Sequence, residues 1–171
     1  MILSDSDIKF RLVDGTLVID PLSDPDAQIQ PASVDLLLGD VRIDPISGCS
    51  LSSEGRWILQ PRGFTLATTL ETVGIPADLV AQVNGKSSLG RKGLFVHITA
   101  GFVDPGFRGQ ITLELFNCSS DTIILTPRQK ICQLVVQKLS SVADRPYGHP
   151  SRTSKYQNQV GVTESRNPEG K

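Results

Sequence analysis

Short apolar runs separated by turn-forming residues fill positions 16 to 140, and this pattern excludes a helical architecture. The breaks fall at Asp24-Pro25, Asp44-Pro45, Ser47-Gly48, Pro61-Arg62-Gly63, Asp104-Pro105-Gly106 and Thr126-Pro127. Proline pre-sets and glycine permits the dihedrals of tight turns, so each break ends whatever element precedes it. The runs between them predict strands at about 17–20, 34–38, 64–71, 79–83, 94–98, 109–117, 122–125 and 131–138. Strands at this spacing indicate an all-β sandwich or barrel. One helix is expected, over residues 5–13. Ser4 can cap its free amides, Asp7 suits its positive end, Ile8 and Leu12 share a face, and Gly15 offers a stop.

The 171 residues suit a single domain, and the composition changes after Leu139. Residues 140–171 are polar and nearly devoid of aliphatic side chains, so they cannot order by burial alone. They are either a disordered tail or a segment that folds over a ligand. Tyr147, Lys155, Tyr156, Gln159 and Arg166 are donors suited to a polyanion.

Seventeen Lys and Arg against eighteen Asp and Glu give a net charge of -1, which argues against bulk nucleic-acid binding. A small phosphorylated ligand needs only a local basic cluster. Cys49, Cys118 and Cys132 are widely spaced, no CxxC occurs, and the only histidines are His97 and His149. Free cysteines suit a reducing cytoplasm, and no zinc or disulfide framework is expected. No apolar run is long enough for a membrane span.

Two segments concentrate chemistry. In Gly85-Lys86-Ser87-Ser88-Leu89-Gly90-Arg91-Lys92-Gly93, hydroxyls, cations and glycines converge within nine residues. Such a segment is either a solvated turn or a phosphate cradle, since backbone amides, hydroxyls and Lys or Arg all donate to anions. Thr99-Ala100-Gly101-Phe102-Val103-Asp104-Pro105-Gly106-Phe107 leads into the second, the strand Gln110-Ile111-Thr112-Leu113-Glu114-Leu115-Phe116. Period-two alternation puts Ile111, Leu113 and Leu115 on one face and Thr112, Glu114 and Phe116 on the other. Glu114 is either an exposed sheet carboxylate or a proton shuttle.

These blocks resemble the signatures of the dCTP deaminases. The resemblance rests on residues 86–91, 99–107 and 112–114, together with Gln30-Pro31-Ala32-Ser33-Val34-Asp35-Leu36 near the start. It extends to Arg145-Pro146-Tyr147-Gly148 and Ser154-Lys155-Tyr156-Gln157-Asn158-Gln159 near the end. It implies a distorted β-barrel of the dUTPase superfamily and a homotrimer with sites at subunit interfaces. Residues 140–171 would then cover the nucleotide. Lys86, Ser87 and Ser88, with Leu89 and Gly90 in the same block, would hold the triphosphate. Gln133, Tyr147, Lys155 and Gln159 match further nucleotide contacts. Asp104 would meet the deoxyribose, and the backbone around Ala100, Thr112 and Leu113 would read the pyrimidine. Glu114 would be the catalytic acid and base, assisted by Ser87 and Arg91. Lys86 stands where the family usually has Arg, and Leu37 where an Arg is common.

The implied reaction is hydrolysis of dCTP to dUTP and ammonia. Mg²⁺ would arrive on the triphosphate, and zinc is not expected, because the HxE and PCxxC ligands of zinc deaminases are missing. Gly101 and Gln133 favour a bifunctional form that also cleaves dUTP to dUMP and diphosphate. A plain dUTPase and a noncatalytic nucleotide sensor are the remaining readings. A shared triphosphate site makes inhibition by dTTP plausible.

Overall fold

The computed structural model describes residues 1–44 and 47–166. Helix α1 (Asp5–Val13) begins at a capping box. The Asp7 amide donates to Ser4 Oγ at 3.3 Å, and the Ser4 amide donates back to Asp7 Oδ2 at 3.3 Å. Ile8 is its buried residue and anchors it to the body.

Twelve strands follow in the described residues. In chain order they are β1 (Val18–Asp20), β2 (Ile29–Gln30), β3 (Ser33–Val41), β4 (Cys49–Leu51), β5 (Trp57–Leu59) and β6 (Phe64–Gly74), then β7 (Leu79–Gly85), β8 (Leu94–Phe95), β9 (Phe102–Val103), β10 (Arg108–Asn117), β11 (Ile123–Leu125) and β12 (Lys130–Lys138). Two single-turn helices interrupt them, α2 (Pro25–Gln28) and α3 (Ser87–Gly90). One curled antiparallel sheet runs in the order β8-β10-β6-β3-β12-β7-β9, with β1 on β6 and β2 on β3. A small sheet, β11-β5-β4, lies off this path. The fold is all-β, as the turn spacing requires.

The eight expected strands are present. β2, β4, β5 and β9 have only two or three residues each, too few for alternation to show. The strand expected over 94–98 stops at Phe95, because the chain beyond it turns toward Glu114. The curl encloses the core. Leu113, Leu115, Leu134 and Val136 are all fully buried there, each worth about 1.5–3 kcal/mol of transfer free energy. Among the described residues, no helix is long and apolar enough to cross a membrane.

One charge lies in this core without a cation among its hydrogen-bond partners. Glu71 is 0% exposed, and its carboxylate accepts from the Leu37 amide at 3.0 and 3.1 Å and from Gln28 Nε2 at 2.9 Å. Burial pushes the Glu71 carboxyl up from its ordinary value, against the opposing pull of those donors. The folded state therefore keeps this proton to higher pH than the unfolded chain does. The associated stability is complete below the ordinary carboxylate value and is lost as pH rises through the raised one. Glu71→Gln carries no such dependence. Its melting temperature relative to the parent should thus be more favourable at about pH 7 than at about pH 4. A difference independent of pH would contradict the assignment.

Candidate active site

Strict alternation along β10 separates the core from the site. Leu113 and Leu115 are fully buried and Ile111 nearly so, while Thr112, Glu114 and Phe116 are half-buried on the opposite face. Leu113 therefore offers the site only its backbone, and its side chain belongs to the core. Glu114 is gripped twice by the preceding loop. Its amide donates to the Val96 carbonyl at 3.1 Å, and its Oε2 accepts from the Ile98 amide at 2.6 Å. That grip leaves Oε1 without a hydrogen bond to the described chain.

The loop carrying Ile98 then bends sharply. Thr99 sits at φ 61°, and the Gly101 carbonyl accepts from the Val83 amide at 2.7 Å. A Cβ at Gly101 would lie 2.8 Å from the Val83 carbonyl oxygen and 3.0 Å from His97 Nε2. Any side chain there would displace the loop that holds Glu114.

A cavity of about 870 Å³ opens beside this loop. Val83, Val103, Phe107 and Ile111 supply apolar lining. Ala100, Asp104, Thr112, Glu114, Tyr147, Lys155 and Gln159, all singled out from the sequence, line it too. Thr112 Oγ1 and Gln159 Oε1 are buried with no hydrogen-bond partner in the structure. Buried polar atoms are rarely left unpaired, so these two mark positions where a polar ligand can bind.

The C-terminal segment closes one side of the cavity. The Tyr147 amide donates to the Pro105 carbonyl at 2.7 Å, the Asn158 amide to Arg108 at 2.7 Å, and the Gln110 amide to Gln159 at 3.0 Å. Gly106, at φ 87°, makes the approach possible, since a Cβ there would fall 2.6 Å from the Tyr147 carbonyl oxygen. Tyr147 stacks at a tilt on Phe107 with centroids 5.9 Å apart. Glu164 lines the cavity and pairs with Arg42 across the sheet. The segment is thus docked on the body through residue 166, although its polarity alone predicts no packing. The rest of the expected covering segment, 167–171, lies outside the described residues.

The other predicted residues are elsewhere. Lys86, Ser87, Ser88, Leu89, Gly90, Arg91 and Gln133 do not line the cavity. Ser87, Ser88 and Arg91 are exposed on and just after α3, and their side chains make no hydrogen bond to the described chain. Leu89 packs partly against the core. Electrostatics sharpens this division. The cavity is lined by the carboxylates of Asp104, Glu114 and Glu164 against the single cation of Lys155. That balance suits a base and sugar and repels a triphosphate, whereas the cations suited to phosphate sit around α3. The residues singled out from the sequence thus fall into two separate groups on one chain.

Among the described residues, no group of three or more His, Cys, Asp or Glu could hold a metal ion. The model of the dCTP deaminase-like family matches residues 2–139. The chain belongs to that family. A dUMP-forming dCTP deaminase of Dictyoglomus thermophilum is 50% identical, with 97% of this chain and 94% of the relative covered. One from Methanothermobacter thermautotrophicus is 47% identical, with 96% and 93% covered. A dCTP deaminase of Haloarcula marismortui is 48% identical, with 97% and 94% covered. In fold, this dCTP deaminase-like chain resembles the 2'-deoxycytidine 5'-triphosphate deaminase of Agrobacterium tumefaciens, with a TM-score of 0.64 at 24% identity over 81% of the chain. It spans about half of that protein, 48%. A dUTPase of Staphylococcus bacteriophage 80alpha gives a TM-score of 0.52 at 17% identity, covering 74% of this chain and 92% of the dUTPase.

Several site residues of the family member were not legible beforehand. Ile98 acts through its backbone amide, which no side-chain motif reveals. Glu164 lines the cavity while paired with Arg42, just after β3 and more than a hundred residues away in the chain. Tyr156 is the exception, because its place in the terminal block already marked it.

Proposed function

We propose that the chain hydrolyses dCTP to dUTP and ammonia. The observation that carries this reading is the Glu114 carboxylate, held through Oε2 by the Ile98 amide with its other oxygen free beside the cavity. Family membership and the names of the close relatives supply the substrate class. Water adds to C4 of the cytosine as Glu114 takes its proton. Glu114 passes that proton to N3, then carries the proton of the new C4 hydroxyl to N4, so that the C4–N4 bond breaks and ammonia leaves as the C4 carbonyl forms. Water is activated here by a side chain rather than by zinc. Thr112 Oγ1, Gln159 Oε1 and the backbone at Ala100 and Leu113 contact the nucleotide, and Asp104 contacts the deoxyribose.

The triphosphate, carrying its Mg²⁺, is met by the cations and hydroxyls around α3 of a neighbouring subunit in a homotrimer. Two observations support this assembly. The cavity's own charge disfavours phosphate, and the apolar side chains of Phe64, Ile98 and Phe102 stand exposed on strands and loops at its wall. Ser87 and Arg91 of that neighbour would orient the water and stabilise charge developing on the ring. Occupation of the same site by dTTP would inhibit. The free cysteines support a cytoplasmic enzyme, and the net charge of -1 argues against nucleic acid as a partner.

A second reading adds cleavage of dUTP to dUMP and diphosphate. It is favoured by Gly101, where no side chain fits, and by relatives named dUMP-forming. Incubation with dCTP and Mg²⁺, with dUTP, dUMP, diphosphate and ammonia resolved, tests both readings. Ammonia with dUTP alone supports the first, and ammonia with dUMP and diphosphate the second. Unchanged dCTP overturns both. Prior treatment with a zinc chelator, with Mg²⁺ restored, should leave the rate unchanged.

A further inference from the structure

We propose that Asp35 is a positioning residue for the phosphate-binding half of the site. In this role its buried carboxylate gathers the ammonium groups of Lys86 and Lys130 into one cationic pair directed at the triphosphate. The inference rests on the function proposed above and extends it to residues outside the cavity. Asp35 lies in β3 and is 1% exposed. A carboxylate this buried persists only when its charge is matched. Lys86 Nζ lies 2.5 Å from Oδ1, and Lys130 Nζ lies 3.2 Å from Oδ2. Both lysine side chains remain partly exposed, at 22% and 38%. Two ammonium groups on one carboxylate leave a net positive charge at the surface, next to Ser87 and Ser88.

The arrangement is built by three segments of the chain. Lys86 is the N-cap residue of α3, yet its side chain makes no cap and runs back to Asp35 instead. Lys130 stands at the irregularity between Lys130 and Cys132 in β12 and also donates to the Ala27 carbonyl at 2.5 Å. The strand register extends the site further. Gln133 lies opposite Asp35 on one side and opposite Asn84 on the other, so the three side chains share one face of the sheet. The side-chain amides of Gln133 and Asn84 make no hydrogen bond to the described chain and stand ready as neutral donors beside the cations. Lysine suits this double duty, because its ammonium has three rotatable donors and can hold Asp35 with one while offering others to phosphate. Without Asp35 the two ammonium groups would repel each other and swing apart on flexible stems.

The test uses the full chain carrying Asp35→Asn, Asp35→Glu or Lys130→Gln. Each is measured by kcat and KM for dCTP with Mg²⁺, by calorimetric titration with inorganic tripolyphosphate, and by thermal unfolding. Asp35→Asn should raise KM and weaken tripolyphosphate binding about tenfold while kcat falls less than about threefold, the mark of lost charge-assisted binding. Lys130→Gln should weaken both in the same direction, and Asp35→Glu should recover part of the loss. If Asp35→Asn lowers the unfolding temperature but leaves KM and tripolyphosphate affinity intact, Asp35 only ties strands together and the proposal falls. Should Asp35→Asn fail to fold, unchanged affinity in Lys130→Gln overturns it equally. A parent chain that binds tripolyphosphate without turning over dCTP refutes the proposed activity, and the tripolyphosphate arm still decides the role of Asp35.

Discussion

Glu114→Gln should lower dCTP turnover at least about 100-fold, the usual worth of a general acid–base group. The amide keeps the size of the side chain and can still accept from the Ile98 amide through its oxygen, so the loop at 96–101 has no reason to move. What disappears is the capacity to take a proton from water and return it to the leaving nitrogen. Binding of the nucleotide should survive, because the proposed phosphate contacts lie in a separate group of residues around α3. Steady-state kinetics, with titration of a nonhydrolysable dCTP analogue, checks both halves of this expectation. Near-normal turnover would remove Glu114 from the mechanism. Loss of binding in step with turnover would make it a structural residue of the cavity instead.

Truncation after Ser141 should have an effect of similar size for a different reason. The sheet ends with β12 at Lys138, so the shortened chain keeps every strand. It loses Tyr147, Lys155 and Gln159 from the cavity wall and uncovers Phe107. Ordering such a segment costs about 1–2 kcal/mol per residue, and in the intact chain its backbone bonds to Pro105, Arg108 and Gln110 offset part of that cost. A substrate entering the truncated chain meets an open trough, with water admitted and the base poorly oriented. The expected outcome is a folded protein, by circular dichroism and a cooperative melt, whose kcat/KM is lower by about 100-fold or more. A truncated protein that keeps its rate would make the docked segment a passenger.

The elements legible in the sequence are those whose signals are local. Alternation over ten residues places Glu114 on the face opposite Leu113 and Leu115, and the Ser4 to Asp7 spacing marks the start of α1. The terminal block marked residues 145–166 as a covering segment, but the contacts that dock it were hidden, because they are made largely by main-chain groups and by a glycine, Gly106, whose importance comes from what lies against it. The division of the site was hidden for a related reason. Residues 86–91 and 99–104 are neighbours in sequence, yet β7 and its continuation send the first block to the surface beside Asp35 and return the second to the cavity. Asp35 was legible only as part of a block. Its partners Lys86 and Lys130 come from remote segments of the chain, and long-range charge pairing leaves no local pattern to read.

We propose that each chain carries two halves of a site and that assembly as a trimer joins them across subunits. The most direct test mixes two inactive variants, Glu114→Gln and Arg91→Ala, by denaturing and refolding them together. In a cyclic trimer, a site that takes Glu114 from one subunit and Arg91 from the next is whole in about a quarter of cases after random mixing. Turnover of dCTP should therefore return to about a quarter of the parent's rate in the mixture and stay at least about 100-fold down in each variant refolded alone. A mixture as inactive as its components would contradict it, and so would a parent chain fully active as a monomer.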